Sequence, residues 1–127
     1  PNELFRHIKE IRFQFLAKRF RTKENKDLYT WYVDNLLTRN VLLPSGEVTQ
    51  QNRGNPSGQV STTMDNNMIN VWLQAFEFYT LNYIDVEEAK VAWLSYDSLV
   101  YGDDRLNTTP VLPADYITKV VDLYRDV

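Results

Sequence analysis

Cysteine is absent from this chain of 127 residues, and histidine occurs once, at His7. The absence of cysteine excludes disulfides, thiolate zinc sites and cysteine nucleophiles. Metal sites built from several histidines are excluded as well, and a Ser-His-Asp triad would have to use His7. We expect His7 to be an ordinary residue on the surface of a helix.

Long hydrophobic runs are also absent, because no stretch approaches the roughly 18 consecutive apolar residues that a membrane-spanning helix needs. No signal peptide is visible. Hydrophobic residues nevertheless make up 43% of the chain and aromatic residues 13%, which is enough for a folded core. Since the chain begins at Pro1 and enters an amphipathic pattern at once, we expect a soluble piece of a longer protein.

Positive charge is concentrated at the start of the chain, although the net charge is −3. The first 23 residues contain two Glu residues and seven basic ones: Arg6, Lys9, Arg12, Lys18, Arg19, Arg21 and Lys23. A basic helix here could lie along a phosphate backbone, or it could be a solvated helix face. Charge alone does not decide between these two interpretations.

The hydrophobic pattern predicts alternating helical and extended segments without internal repeats. Helices are predicted over about 2–21, 23–39, 62–79 and 85–96, with a last one from about 114 to the end. In the third helix an apolar stripe is interpreted as core packing: Met64, Met68, Trp72, Ala75 and Tyr79. Asp85 is the predicted N-cap of the fourth helix, with Glu88 as the matching capping-box acid.

Two hairpins are predicted, the first around Pro44-Ser45-Gly46. The second has strands over about 98–101 and 105–108, with a tight turn at 102–104 that carries Asp103 and Asp104. A turn interrupts the alternation of a strand and can bring both carboxylates to one side. Such a pair suits Mg²⁺, which takes one or two carboxylates and keeps waters and phosphates as its other ligands. Asp is common in turns without any ligand, so the dipeptide by itself favours an ordinary turn.

A second group of polar residues follows a glycine-rich loop, in the stretch GNPSGQVSTTMDNN. Asn66, Asn67 and Asn70 lie near the start of the helix after this loop, although Asn is a poor helix former. Their presence is easier to understand if their amides have bonding partners. The alternative is a solvated polar stripe on the helix.

At these two places the sequence resembles viral RNA-dependent RNA polymerases. Ser57, Gly58, Thr62 and Asn66, in the spacing S-G-x3-T-x3-N, resemble motif B of that family. The tetrapeptide YGDD at 101–104 resembles its motif C, and the order and separation of the two motifs also fit. The amino-acid sequences of both stretches are most similar to those of the astrovirus members of the family.

The resemblance implies an α+β fold, a palm subdomain fragment of a right-hand polymerase with antiparallel β-hairpins backed by helices. Residues 1–127 would then be a partial palm, with motif B at about 54–70 and motif C at about 97–108. Motif A, motif F of the fingers and the thumb have no counterpart in the chain. We therefore expect the isolated chain to be inactive.

The resemblance also implies template-directed nucleotidyl transfer from ribonucleoside triphosphates by a two-metal mechanism, in the replication of a positive-strand RNA virus genome. Asp103 and Asp104 would be the catalytic residues and would bind Mg²⁺ or Mn²⁺. The substrate-binding residues would be Ser57, Gly58, Thr62 and Asn66. The implied partners are RNA template and primer, ribonucleoside triphosphates and the remainder of a viral polyprotein. The implied location is the host cell cytoplasm, in viral replication complexes.

Two alternatives stay open at this stage. A reverse-transcriptase-like palm also uses a Tyr-x-Asp-Asp hairpin, although the resemblance to motif B favours ribonucleotides. A non-catalytic RNA-binding or interaction module could use the basic segment without any metal.

Overall fold

The computed structural model of the chain describes residues 1–83 and 85–125, and it contains two compact units, Pro1–Asp65 and Asn66–Val127. We call these the first and the second unit. The fold is mixed α+β, with five α-helices and two separate two-stranded antiparallel sheets in the part that is described. No helix in the described ranges combines the length and the apolar character that a membrane crossing requires.

The first unit is a pair of helices followed by a hairpin. Helix α1 spans Asn2–Gln14 and helix α2 spans Lys23–Leu37, and a 3-10 turn at Lys18–Phe20 lies between them. The buried apolar side chains of the two helices form the core of the unit: Leu4, Phe5, Ile8, Phe13, Val33 and Leu37. Helix α2 is capped by Thr22, whose hydroxyl accepts the backbone N–H of Asn25 at 3.2 Å.

Strands β1 (Arg39–Leu42) and β2 (Val48–Gln51) form the predicted first hairpin, with Leu42 paired to Val48. Gly46 has a φ of +87°, and its N–H donates to the carbonyl of Leu43 at 2.9 Å inside the turn. The positive φ explains why glycine stands at this position.

Helix α3 spans Thr62–Asn82, and the boundary between the units falls within its first turn, after Asp65. The second unit also contains α4 (Val86–Trp93), strands β3 (Asp97–Tyr101) and β4 (Asp104–Thr108), and α5 (Tyr116–Arg125). Phe78 of α3 is 4% exposed and contacts Tyr83, Trp93 and Tyr96, with ring centroids 5.2 to 5.5 Å away. These rings form the apolar part of the second unit.

Most of the predicted elements are confirmed, and α4 begins as expected. The carboxylate of Asp85 accepts the N–H groups of Glu87 and Glu88 at 2.9 and 3.0 Å. The final residues of the last predicted helix, up to Val127, lie outside the described residues.

The prediction that the first helix reaches residue 21 is wrong, because α1 ends at Gln14. The N–H groups of Phe15 and Leu16 bond to carbonyls three residues earlier, at 3.1 and 3.2 Å, which tightens and terminates the last turn. Both side chains are exposed, so the apolar periodicity beyond Gln14 does not correspond to a buried face.

The interpretation of the apolar stripe on α3 as core packing is wrong for two of its five residues, whereas Met68, Ala75 and Tyr79 are half-buried. Met64 is 58% exposed and Trp72 is 39% exposed. The buried positions of this helix are mostly polar: Asp65, Asn70, Gln74 and Glu77, together with Phe78. Burial of polar side chains is tolerated because each one has hydrogen-bonding partners within its own unit.

Candidate active site

The β3–β4 hairpin carries the two adjacent carboxylates of the predicted motif C. Tyr101 pairs with Asp104, which leaves a two-residue turn of Gly102 and Asp103. Gly102 has a φ of +65° and Asp103 does not have a positive φ, the pattern that a type II′ turn requires. The turn is therefore one residue shorter than predicted, because Asp104 is already the first residue of β4.

The two carboxylates occupy different positions on this hairpin. Asp103 is at the tip, whereas Asp104 shares a strand face with its cross-strand partner Tyr101. Both residues are exposed, and neither takes part in an ion pair within residues 1–83 and 85–125. The hairpin thus presents two negative charges that no described cation neutralises.

The turn is held by two asparagines of α3. The N–H of Gly102 donates to Oδ1 of Asn67 at 2.5 Å. Nδ2 of Asn70 lies 3.2, 3.0 and 3.4 Å from the carbonyl oxygens of Gly102, Asp103 and Asp104. The expectation that these asparagine amides have bonding partners is confirmed for Asn67 and Asn70. Their partners are the backbone groups of the turn that carries the acid pair.

A chain of side-chain hydrogen bonds continues from Asn70 into the second unit. Oδ1 of Asn70 accepts from Nε2 of Gln74 at 3.1 Å, and Oε1 of Gln74 accepts from the hydroxyl of Tyr96 at 2.9 Å. Gln74 is 1% exposed and Asn70 is 8% exposed. Burial of such a chain is favourable only when its members are paired, so the chain fixes which end of the Asn70 amide faces the turn.

Arg105, the residue directly after the acid pair, is held by a buried carboxylate on α3. Its guanidinium donates to both oxygens of Glu77, at 3.1 and 2.7 Å. The hydroxyls of Tyr116 and Tyr124, both on α5, donate to the same carboxylate at 3.0 and 2.8 Å. Burial and the hydrogen bond to Glu77 raise the pKa of both tyrosines, and the hydrogen bond to Glu77 raises the pKa of Arg105.

Sequence reasoning missed the roles of Glu77 and Arg105. The signal that could have found them is a glutamate placed among apolar residues in the middle of a helix, which needs a partner if it is buried.

A cavity of about 420 Å³ in the second unit brings together two of the predicted site residues, Asn66 and Asp103. Glu77, Arg105 and Tyr124 also line it. Asp103 therefore lines a space whose walls contain charged, polar and apolar side chains, the apolar ones being Ile69 and Leu73. Asp104 does not line this cavity.

The remaining predicted residues of motif B lie in the first unit, Ser57 and Gly58 in the loop before α3 and Thr62 at the first position of the helix. Ser57 and Gly58 are exposed, and Gly58 has a φ of +77°, which explains the preference for glycine there. The hydroxyl of Thr62 lies 2.7 Å from the carbonyl oxygen of Pro56 and 3.0 Å from that of Gln59. The Thr62 side chain thus stabilises the loop itself.

The loop is anchored by Asp65, which is fully buried in the first unit. Its carboxylate accepts from Lys9 at 2.6 Å, Arg12 at 2.5 Å, Ser61 at 2.9 Å and Gln59 at 3.0 Å. Burial raises the pKa of Asp65, but the hydrogen bonds from Lys9, Arg12 and Ser61 outweigh it and leave the pKa below its usual value. Sequence reasoning did not find this group, because Lys9 and Arg12 are more than 50 residues away from Asp65 along the chain.

A model of the viral RNA-dependent RNA polymerase family matches residues 1–127 of the chain. The chain belongs to this family. The predicted family is therefore confirmed, and the mixed architecture is consistent with a piece of the polymerase palm.

Relatives of this polymerase chain are found among astrovirus polyproteins. It is 61% identical over 127 residues to the non-structural polyprotein 1AB of Human astrovirus-5, and 56% identical over 128 residues to that of Ovine astrovirus 1. The polyprotein 1AB of Turkey astrovirus 1 is 44% identical over 132 residues. All three matches cover the whole chain, which spans only 8 to 10% of the length of these relatives. No solved structure matches the chain.

In this polymerase chain the basic residues near the start fall into two groups. Three of them form ion pairs with acids of the first unit: Arg6 with Asp34, and Lys9 and Arg12 with Asp65. The other four are exposed and form no ion pair within the described part of the chain: Lys18, Arg19, Arg21 and Lys23. The ion pairs explain the presence of the first group. The two interpretations of the basic segment, a solvated helix face or a surface that contacts RNA, therefore apply only to the second group.

Among the predicted site residues of the chain, Asp103 and Asp104 are the ones whose side chains could hold a metal ion. No cluster of three or more His, Cys, Asp or Glu side chains suited to a metal ion occurs in residues 1–83 and 85–125. Two exposed carboxylates without cationic partners fit Mg²⁺ or Mn²⁺, because such ions fill their other positions with water and substrate phosphates. A structural zinc site, which needs four protein ligands, does not fit this pair.

Proposed function

We propose that Asp103 and Asp104 are the metal-binding acids of an RNA-directed RNA polymerase that transfers nucleotides from ribonucleoside triphosphates by a two-metal mechanism. The observation that carries this proposal is the acid pair itself. Its two carboxylates are exposed, and neither forms an ion pair with a cationic side chain in the described residues. The backbone of the turn that carries them is hydrogen-bonded to two side chains of α3, Asn67 and Asn70. Ordinary surface turns do not need such support.

In the reaction, a bond forms between the primer 3′-oxygen and the α-phosphate, the 3′-hydroxyl loses its proton to solvent, and the bond from that phosphate to pyrophosphate breaks. Mg²⁺ or Mn²⁺, when bound, would supply the charge that neutralises the triphosphate and activates the 3′-hydroxyl. Asp103 and Asp104 would hold the ions. Asn66, which lines the same cavity as Asp103, would contact the ribose of the incoming nucleotide.

Ser57, Gly58 and Thr62 would take part in substrate binding through the loop that precedes α3. The Thr62 hydroxyl acts on the loop backbone, so its proposed contribution is to shape the loop that carries Ser57 and Gly58. The positive φ of Gly58 gives this loop a conformation that side chains disfavour.

The proposed biological role is replication of a positive-strand RNA virus genome in the host cell cytoplasm, within viral replication complexes. The partners are RNA template and primer, ribonucleoside triphosphates and the rest of the polyprotein. The family match and the similarity to astrovirus polyproteins support this role, and the chain covers about a tenth of the length of those polyproteins.

The test is the Asp103→Asn variant of the complete polymerase. Primer extension should fall by several orders of magnitude, because the change keeps the shape of the side chain and removes a charged metal ligand. Without metal, the melting temperature should stay equal or rise slightly, because the repulsion between adjacent carboxylates is relieved.

Asp97→Asn is the matched control, since Asp97 is an exposed acid at the other end of the same hairpin and its acceptor role toward the Ser98 N–H survives the change. It should extend primers normally. Near-normal extension by Asp103→Asn would show that Asp103 is only a turn residue. RNA binding with strong salt dependence and no response to Mg²⁺ would then favour a non-catalytic RNA-binding module.

A further inference from the structure

The support of the acid turn by α3 is more extensive than closing a two-residue hairpin requires. A type II′ turn with glycine at its first central position closes by its own backbone preferences. Here, in addition, Asn67 accepts the N–H of Gly102, and Asn70 lies within 3.4 Å of three successive carbonyl oxygens. Both asparagines reduce the intrinsic helix propensity of α3.

The orientation of the Asn70 amide is fixed by hydrogen bonds on the side away from the turn. Gln74 donates to its Oδ1 at 3.1 Å, and Gln74 in turn accepts from the Tyr96 hydroxyl at 2.9 Å. The Nδ2 group of Asn70 is left to face the turn, where it lies within 3.4 Å of three carbonyl oxygens. Because the hydrogen bonds run head to tail, each member restricts the rotamer of the next.

We propose that Asn67 and Asn70 are positioning residues for the metal site, which set the backbone of residues 102–104 and thereby the direction of the Asp103 and Asp104 carboxylates. This inference rests on the proposed function of the acid pair. The two asparagines touch no reacting atom. They act through the turn, as residues that hydrogen-bond to metal ligands do in other proteins.

The arrangement also links the two polymerase motifs. Asn66, Asn67 and Asn70 lie within five successive positions of α3, so the residue proposed to contact the ribose and those that hold the acid turn belong to one rigid segment. A helix spaces residues three and four apart on one face, which allows Asn67 and Asn70 to bond to the same turn. Displacement of this segment would move the acid pair together with Asn66.

The experiment compares Asn70→Ala and Asn67→Ala with Asn82→Ala in the complete polymerase. Asn82 is a matched control, because it is also on α3 but its amide donates to the carbonyl of Phe78 within the same helix. Mn²⁺ affinity is measured without RNA or nucleotide, by the loss of free Mn²⁺ signal in electron paramagnetic resonance. The Mg²⁺ concentration for half-maximal primer extension and the melting temperature in chelator are measured in parallel.

Each test variant should weaken Mn²⁺ affinity about tenfold, as loss of a hydrogen bond to a metal-ligand segment does elsewhere, and should raise the half-activating Mg²⁺ concentration by a similar factor. Extension at saturating Mg²⁺ should recover substantially, and Asn82→Ala should match the wild type in both measurements. Asn67→Ala keeps the test valid if Asn70→Ala folds poorly, because water can replace the lost acceptor at the partly exposed Gly102 N–H.

Unchanged metal affinity in a folded Asn67→Ala variant, with only a lower melting temperature, would overturn the proposal and leave the asparagines a purely structural role. Asp103→Asn separates this failure from failure of the proposed function. If Asp103→Asn abolishes Mn²⁺ binding while Asn67→Ala does not change it, only the positioning role is wrong. If Asp103→Asn also binds Mn²⁺ and extends primers normally, the acid pair is not the metal site.

Discussion

The carboxylate of Glu77 and the guanidinium of Arg105 form a bidentate pair, with N–O distances of 3.1 and 2.7 Å, and Arg105 directly follows the acid pair of the β3–β4 hairpin in the sequence. Glu77 is 6% exposed and also accepts from the hydroxyls of Tyr116 and Tyr124. One carboxylate therefore joins α3, β4 and α5. Two parallel N–H···O bonds fix the orientation of Arg105 as well as its distance from α3.

The first prediction concerns the stability of the second unit. Glu77→Ala should lower the free energy of unfolding by about 2 to 4 kcal/mol, because it leaves Arg105 and two tyrosine hydroxyls without their acceptor. Urea denaturation of the chain, followed by tyrosine and tryptophan fluorescence, measures this change. Glu87→Ala is the control, since its ion pair with Lys90 is exposed and should contribute little. Equal effects of the two variants would show that the buried network does not stabilise the unit.

The second prediction concerns acid sensitivity of the first unit through Asp65. The pKa of Asp65 lies below its ordinary value of about 3.9, so its charged form stabilises the folded state above that pH. This contribution is lost as pH falls through the lowered pKa. At pH 7 the Asp65→Asn substitution should lower the free energy of unfolding by about 3 kcal/mol, because the buried Lys9 is left without a negative partner.

The measurement is urea denaturation of wild type and Asp65→Asn from pH 7 downwards. The difference between their free energies of unfolding should become smaller below about pH 4. Asp34→Asn serves as control, because the ion pair of Asp34 with Arg6 is half exposed. A difference that stays constant to the lowest pH would show that the charge of Asp65 is not what stabilises the loop.

The third prediction concerns sugar discrimination by Asn66 in the complete polymerase. Asn66→Ala should lower incorporation of ATP about tenfold to a hundredfold more than that of dATP, because a hydrogen bond to the ribose 2′-hydroxyl is lost. Single-nucleotide incorporation kinetics on one template measure both efficiencies. If ATP and dATP lose efficiency by the same factor, Asn66 has a structural role only.

The fourth prediction concerns the chain by itself. Residues 1–127 should not incorporate nucleotides on a primed template with Mg²⁺ or Mn²⁺, because the described part of the chain contains no group of three or more metal-ligating side chains to complete the site proposed at Asp103 and Asp104. The chain also corresponds to only about a tenth of its relatives. A radiolabelled primer-extension assay with purified chain tests this. Template-dependent extension would refute it.

Local sequence was sufficient for the elements whose determinants are close in the chain. The cap at Asp85, the glycines in the turns at 46 and 102, and the hairpin spacing all act over a few residues. Short-range signals of this kind predict helices and turns because both partners are within one turn of each other. The two short stretches that resemble motifs B and C were also sufficient to predict the family, which the match over the whole chain confirms.

Tertiary structure decided which face of α3 is buried and what its asparagines bond to. Periodicity favoured the stripe of Met64 and Trp72 as the core, because apolar residues are usually buried. The polar face is buried instead, since Asn67, Asn70 and Glu77 find partners 28 to 35 residues away. No local pattern encodes such partners. The sequence by itself determined the family and the acid pair, whereas the surroundings that orient the pair depend on hydrogen bonds formed only when distant segments meet.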